Sequence, residues 1–221
     1  MNQIKLLIFI LICMLLSQCS NHYYTTSIVL PPSKIEKGDL DLNLGIELMP
    51  EADSEPDHSF GGSLSATFGL DELRGLNTRL FMSDTNLGIS ATLLKGKALT
   101  DDSRIYSCPR FGFTYDFWGL GVGLGYELIY QKSFYNSSFY SGIGVAYGTE
   151  IFDFSPDEFG IALISNLGYS SIYSPNLRCS FELNPIIQIY EGSFYPVINS
   201  SISVGYFVQG KDRKKFNRLV E

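Results

Sequence analysis

The sequence predicts an all-β protein, folded as one antiparallel up-and-down barrel of about ten strands, with eight to twelve allowed. Two observations predict this fold. From Gly38 onward, apolar and polar residues alternate strictly in successive runs, which is typical of strands with one apolar and one polar face. Short stretches of turn-forming residues separate these runs, and short connections favour pairing between sequential strands. A long meander must close to remove its open edges, so we expect a barrel over 38–209.

The first element is a targeting segment over 1–18. Lys5 is followed by eleven apolar residues, from Leu6 to Leu16. A membrane-spanning helix needs roughly 20 such residues, so this run is too short for an anchor and is typical of a removable export signal.

A lipid attachment site is predicted where the signal ends. Leu16-Ser17-Gln18-Cys19 resembles the lipobox of bacterial lipoproteins. The resemblance implies cleavage before Cys19 and attachment of a diacylglycerol to its thiol. Ser20 after the cysteine implies that the lipoprotein is not retained at the inner membrane. The alternative is an ordinary signal peptide followed by an incidental cysteine. Residues 19–37 are predicted to form an N-terminal tether.

The strands follow in order. The first run places Leu40, Leu42, Leu44, Ile46 and Leu48 on one face, and later runs repeat this pattern. The runs predict strands near 38–48, 60–70, 76–83, 86–95, 104–117, 119–130, 138–150, 158–170, 176–190 and 195–208.

The composition of the polar face predicts that it lines a lumen and that the apolar face meets lipid. This face carries mostly Gly, Ser, Asn and Thr, and Lys132 is the only lysine between Ala98 and Gly210. A sheet facing water normally uses Lys and Glu for solubility, whereas membrane barrels are apolar outside and polar inside.

Charged residues on the polar face form the candidate site, a lumenal ion-pair network. All its bases are arginine, whose planar fork suits confined carboxylates. The alternative is a solvated charged surface. The predicted members are Asp39, Asp41, Glu47, Arg79, Arg104, Arg110, Asp116, Glu127, Glu150, Arg178 and Glu182.

Aromatic residues cluster at strand ends, as expected for girdles at the two lipid–water boundaries; the alternative is aromatic core or turn packing. The two clusters are Tyr115, Phe117 and Trp118, and Tyr130, Phe134, Tyr135, Phe139 and Tyr140.

Over about 170 residues the chain resembles the small outer-membrane β-barrel proteins of Gram-negative bacteria, through its strands of eight to fifteen residues and its last strand with Tyr206 and Phe207. The resemblance implies an outer-membrane location, contact with outer-membrane lipid, and insertion by the barrel-assembly machinery. A tail over 210–221 follows, with five basic and two acidic residues among its last eleven. We expect this tail to be solvated.

No catalytic constellation is found, so the protein is predicted not to be an enzyme and to use no cofactor and no metal. The two histidines are His22 and His58, and His58 ends an acidic loop best interpreted as solvated. The net charge of −7 argues against nucleic-acid binding. Cys108 and Cys179 lie on opposite faces of non-adjacent predicted strands, so we expect no disulfide between them.

Three functions remain open. The first is a structural or interaction barrel in the outer membrane, and the second is a narrow channel of the same fold. The third is a lipid-anchored soluble barrel, similar to lipocalins, that holds an apolar ligand.

Overall fold

The protein folds as a closed β-barrel in the computed structural model, which describes residues 30, 35–50, 58–83, 87–115, 120–150, 159–174, 176–190, 193–208 and 210. The predicted signal segment, Cys19, Asp116 and the tail beyond Gly210 lie outside the described residues. None of the described residues belongs to a helix with the length and hydrophobicity of a membrane span.

Ten strands form the barrel, each paired antiparallel with its sequence neighbours. The last strand, β10, pairs with β1 and closes the sheet, with Ile46 opposite Ile202. The strands are β1 (Leu40–Pro50), β2 (His58–Asp71), β3 (Arg74–Ser83), β4 (Leu87–Ala98), β5 (Ser103–Tyr115), β6 (Leu120–Ser133), β7 (Ser137–Glu150), β8 (Phe159–Ile172), β9 (Leu177–Tyr190) and β10 (Ser193–Val208).

The predicted fold class is confirmed: an all-β, ten-stranded, closed antiparallel meander. Each predicted strand overlaps its observed counterpart. The largest differences are at strand ends, where β4 and β6 extend three residues further than the alternation indicated. Boundaries shift because neighbouring strands continue to pair after the hydrophobic alternation has faded into turn residues.

The barrel has two different ends. At one end, which we call the termini end, β1 begins and β10 finishes, and turns of two to four residues join β2 to β3, β4 to β5, β6 to β7 and β8 to β9. At the other, the loop end, the connections include 51–57 and 151–158.

Residues before β1 fold over the termini end. Gly38 adopts a φ of 80°, and its amide donates to the carbonyl oxygen of Gly69 at 2.9 Å. The amide of Gly210 donates to Asp39 Oδ1 at 3.0 Å, which joins the two termini of the barrel. Further in, Leu30 and Ile35 are buried inside the barrel. The assignment of 19–37 as a tether remains a prediction, although these two residues of that span pack within the fold.

The remaining cysteines are free and lie on opposite faces. Cys108 is buried inside the barrel, whereas Cys179 is half-buried.

Candidate functional site: the barrel lumen

Burial in this barrel is inverted relative to a soluble protein. Arg178 is 0% exposed, whereas Leu44 and Ile143 are 67% and 70% exposed. The same alternation runs around the wall, with polar side chains inward and large apolar side chains outward. Because an exposed apolar surface of this extent is unfavourable in water, the outer face is built to contact lipid.

The strongest polar cluster surrounds Arg178 of β9. Its Nε and Nη2 donate to Oδ1 of Asn43 at 3.0 and 2.6 Å, and Nη2 lies 2.5 Å from Oδ2 of Asp41. Its Nη1 donates to the carbonyl oxygen of Leu30 at 2.7 Å. The planar guanidinium thus binds β1 and the preceding segment at once, as its fixed fork of donors allows.

Arg178 reaches β1 only because the intervening strand carries no side chain there. Gly205 of β10 lies opposite Arg178 on one side and Asn43 on the other. A Cβ at Gly205 would stand 2.2 Å from Asn43 Oδ1 and 2.6 Å from Arg178 Nε. The arginine therefore lies flat across the glycine and spans the closing seam of the barrel.

Tyr140 makes the same kind of crossing on the other side of the lumen. It lies on β7 opposite Gly168 of β8, which in turn lies opposite Glu182 of β9. The Tyr140 hydroxyl donates to Oε1 of Glu182 across that glycine. Tyr140 is fully buried, so its assignment to an aromatic girdle was wrong: its position in the strand places it inward.

The other four residues of the second predicted aromatic cluster point outward. All four have exposed side chains, as does Tyr115 of the first cluster, whereas Phe117 and Trp118 lie outside the described residues. The exposed members are Tyr130, Phe134, Tyr135 and Phe139.

Two further ion pairs lie in the lumen. Arg79 of β3 pairs with Glu47 of β1, and both are buried. Arg110 of β5 pairs with Glu127 of the adjacent strand β6, with Nη2 and Oε1 2.8 Å apart. Both pairs are shielded from water. Removal of one partner would therefore leave an unpaired buried charge, which is strongly destabilising.

Arg104 is bound by polar groups near the termini end. Its Nη1 donates to Oε1 of Gln131 at 3.4 Å and to the hydroxyl of Ser133 at 3.1 Å. Gln131 continues the chain of bonds, donating to the hydroxyl of Ser138 at 3.1 Å.

The structure therefore brings the sequence-selected residues into several local clusters. Asp39 lies at the termini end, where it caps the turn formed by Glu36. Asp116 lies outside the described residues, and for Glu150 only the backbone, in β7, is described. The remaining selected residues point inward. They are Asp41, Glu47, Arg79, Arg104, Arg110, Glu127, Arg178 and Glu182.

The partners missed at the sequence level include Asn43, Tyr140, Gln131 and the backbone of Leu30. The first three share the inward parity of the charged residues, which was the signal that could have found them. Leu30 gave no such signal because it lies outside the strands.

The interior leaves little free space. A cavity of about 30 Å³ is lined by Arg110, Glu127, Gly112 and Gly125, together with outward-facing residues such as Leu124. A water needs roughly 10–15 Å³ of such volume, so this cavity has room for one or two waters. Among the described residues, no group of three His, Cys, Asp or Glu side chains is arranged to hold a metal ion.

Outside the barrel wall, the turn between β4 and β5 carries an exposed carboxylate. The hydroxyl of Thr100 donates to Oδ1 of Asp102 at 2.5 Å. This hydrogen bond favours the ionised form and lowers the pKa of Asp102.

Comparison with solved structures identifies the architecture. An outer-membrane channel from Pseudomonas putida F1 superposes with a TM-score of 0.54 at 9% identity, over 86% of this chain and 99% of that one. This chain has the fold of an outer-membrane β-barrel. The NanC porin matches with a TM-score of 0.44 at 11% identity, covering 76% of this chain and 98% of that one. The N-terminal barrel domain of Pseudomonas aeruginosa OprF gives 0.39 at 13%, covering 78% and 98%.

Sequence comparison adds no relative. Neither a protein-family model nor a curated protein matches the chain.

Proposed function

We propose that this chain is an integral outer-membrane β-barrel protein of a Gram-negative bacterium, with a structural or interaction role and no catalysis. The observation that carries the proposal is the inverted burial, with arginines and carboxylates buried inside and large apolar side chains exposed around the wall. A soluble, lipocalin-like barrel would need the opposite arrangement, so the inverted burial argues against that alternative.

The state of the lumen favours an interaction role over a narrow channel. Glu47 of β1, Glu127 of β6 and Arg178 of β9 come from different parts of the wall, and all are buried from water. A water-filled pore would leave lumenal charges solvated, as in larger porins. Function is then expected at the surfaces outside the lumen, where a partner could bind.

The turn lengths support an orientation. Membrane barrels of this kind have short periplasmic turns and longer extracellular loops. The termini end would therefore face the periplasm, together with the basic tail over 210–221. The barrel-assembly machinery would insert the barrel, and outer-membrane lipid would surround it.

A lipid anchor is the second part of the proposal. Removal of residues 1–18 would leave Cys19 as the first residue, with its thiol carrying a diacylglycerol. The length of the linker permits this, because the eleven Cα–Cα steps from Cys19 to Leu30 span up to about 36–40 Å when extended.

Membrane integration is tested with a Cys19→Ser chain, which lacks the lipid site. We expect this variant to stay in the membrane pellet after carbonate washing, because its apolar wall holds it there. It should also migrate differently on gels before and after boiling. Wild-type chain is the matched control. Release of the variant into the supernatant would show that the lipid alone held the protein, and the soluble alternative would then stand.

Lipid attachment has its own measurement. Labelled palmitate should enter the wild-type protein and be lost in Cys19→Ser, while a Cys179→Ser variant should remain labelled. Label that persists in Cys19→Ser would contradict the proposed lipid anchor and favour an ordinary signal peptide.

A further inference from the structure

Apolar side chains form a cluster in the lumen toward the termini end, where Arg104 and Arg178 also lie. Leu30 and Ile35 pack among them and are buried with them in one cluster. Five of its members come from the wall, on β4, β5, β6 and β7: Leu94, Tyr106, Cys108, Ile129 and Tyr140. Exposure of this apolar patch to a water-filled lumen would be unfavourable. The side chains of Leu30 and Ile35 cover the patch and are apolar as well.

Hydrogen bonds to the backbone carbonyl groups of Leu30 and Ile35 hold these residues in place. Arg178 donates to the carbonyl oxygen of Leu30 at 2.7 Å, and the amide of Leu73 donates to the carbonyl oxygen of Ile35 at 3.0 Å. Leu73 sits in the turn between β2 and β3 with a φ of 61°, a conformation that non-glycine residues rarely adopt. That turn is thus held in an unfavourable backbone conformation while it contacts the segment.

Loss of the segment would carry two costs. The apolar side chains around Leu30 would meet water, and the buried guanidinium of Arg178 would lose an acceptor. Arg178 would keep Asp41 and Asn43 as partners, so the wall beneath the segment can persist without it.

We propose that Leu30 and residues 35–39, which precede β1, form an internal plug that seals the lumen at the termini end. Its site on the barrel is a peptide-binding pocket: an apolar wall takes the side chains of Leu30 and Ile35, and Arg178 takes a backbone carbonyl. Withdrawal of the plug exposes that pocket to solutes at the termini end. This role goes beyond the proposed interaction function and does not depend on it.

Cys108 is a built-in reporter for the plug, because it is buried in the same cluster. The experiment uses the full chain with Cys13, Cys19 and Cys179 replaced by alanine, purified in detergent. A small charged methanethiosulfonate reagent is added, and its rate of reaction with Cys108 is measured. Unboiled samples on gels establish that each chain is folded.

We expect Cys108 to be inaccessible to the reagent in this background. After Leu30→Asp it should react at least about tenfold faster, which corresponds to a shift of about 1.4 kcal/mol in the equilibrium for opening of the plug. Aspartate at position 30 cannot remain in the apolar pocket, so the plug should leave. The matched control is Ile186→Asp, which places the same charge in the other apolar cluster of the lumen and should leave Cys108 closed.

Three results would overturn the plug: rapid labelling of Cys108 in the background chain, no change in a folded Leu30→Asp chain, or equal acceleration by Ile186→Asp. Should Leu30→Asp fail to fold, Leu30→Ala takes its place. It removes only apolar volume, and a rate no faster than that of the background would equally refute the proposal.

Discussion

At the scale of single residues, the lumen depends on glycines that let large polar side chains cross a neighbouring strand. Arg178 crosses Gly205 to reach Asn43, and Tyr140 crosses Gly168 to reach Glu182. Each crossing links, through side chains, two strands that are separated by a third strand and share no backbone ladder. A methyl group on either glycine would occupy the space that the crossing side chain now fills.

Gly205→Ala is therefore expected to destabilise the barrel by about 1–3 kcal/mol, the usual cost of overpacking a filled interior. The new methyl group must push Arg178 from Asn43 at the closing seam. The measurement is the urea midpoint at which the folded band is lost on unboiled gels.

Gly125→Ala is the matched control. Gly125 also lies in a strand and points inward, but its added Cβ would meet neighbours at 3.6 Å or more, which is ordinary contact. Equal losses in the two variants would show that the crossing of Gly205 carries no special stability.

Residue parity indicated which charges point inward, but it could not pair them. Arg178 and Asp41 are far apart in sequence, and their contact depends on the register across β10 and on the absence of a side chain at Gly205. Tyr140 was misassigned because strand-end position, not parity, was used to group the aromatics. Hydrophobic alternation shows which face of a strand a side chain lies on, whereas the pairing of two side chains also depends on the register between strands.

At the scale of elements, each strand has a lipid face and a lumen face, and successive residues point alternately to one and the other. On β6, Leu124 is 55% exposed and Glu127 is 2% exposed. The alternation in the sequence was enough to predict this strand and its two faces. It could not predict that Leu30 and Ile35 pack inside, because these two residues belong to no strand and their burial depends on the closed barrel.

Single-cysteine labelling tests the facing of β6. A cysteine at position 124, in a chain otherwise free of cysteine, should react with a lipid-soluble thiol reagent and resist a charged one. A cysteine at position 127 should resist both, because Glu127 is 2% exposed and the cavity that it lines has room for one or two waters. Rapid labelling of position 127 by a large charged reagent, with position 124 closed, would mean that the strand faces the other way.

At the scale of the whole molecule, ten strands enclose a lumen that is filled by wall side chains together with Leu30 and Ile35. Closure follows from the pairing of β1 with β10, which leaves no free edge among the described strands. Small barrels have interiors that side chains can fill, whereas barrels of 16–18 strands leave an aqueous channel. The buried charges on several strands place this barrel with the filled ones.

Conductance separates an interaction barrel from a channel. Purified protein inserted into planar bilayers should give no steady current above the bare membrane, because buried ion pairs such as Glu47 with Arg79 and Arg110 with Glu127 occupy the lumen. Ions would have to displace these pairs, and breaking a buried pair typically costs about 3–5 kcal/mol. An open porin in the same bilayers controls for detection, and the gel shift on boiling controls for folding. Steady unitary currents from folded wild-type protein would contradict the filled lumen and establish the narrow channel instead.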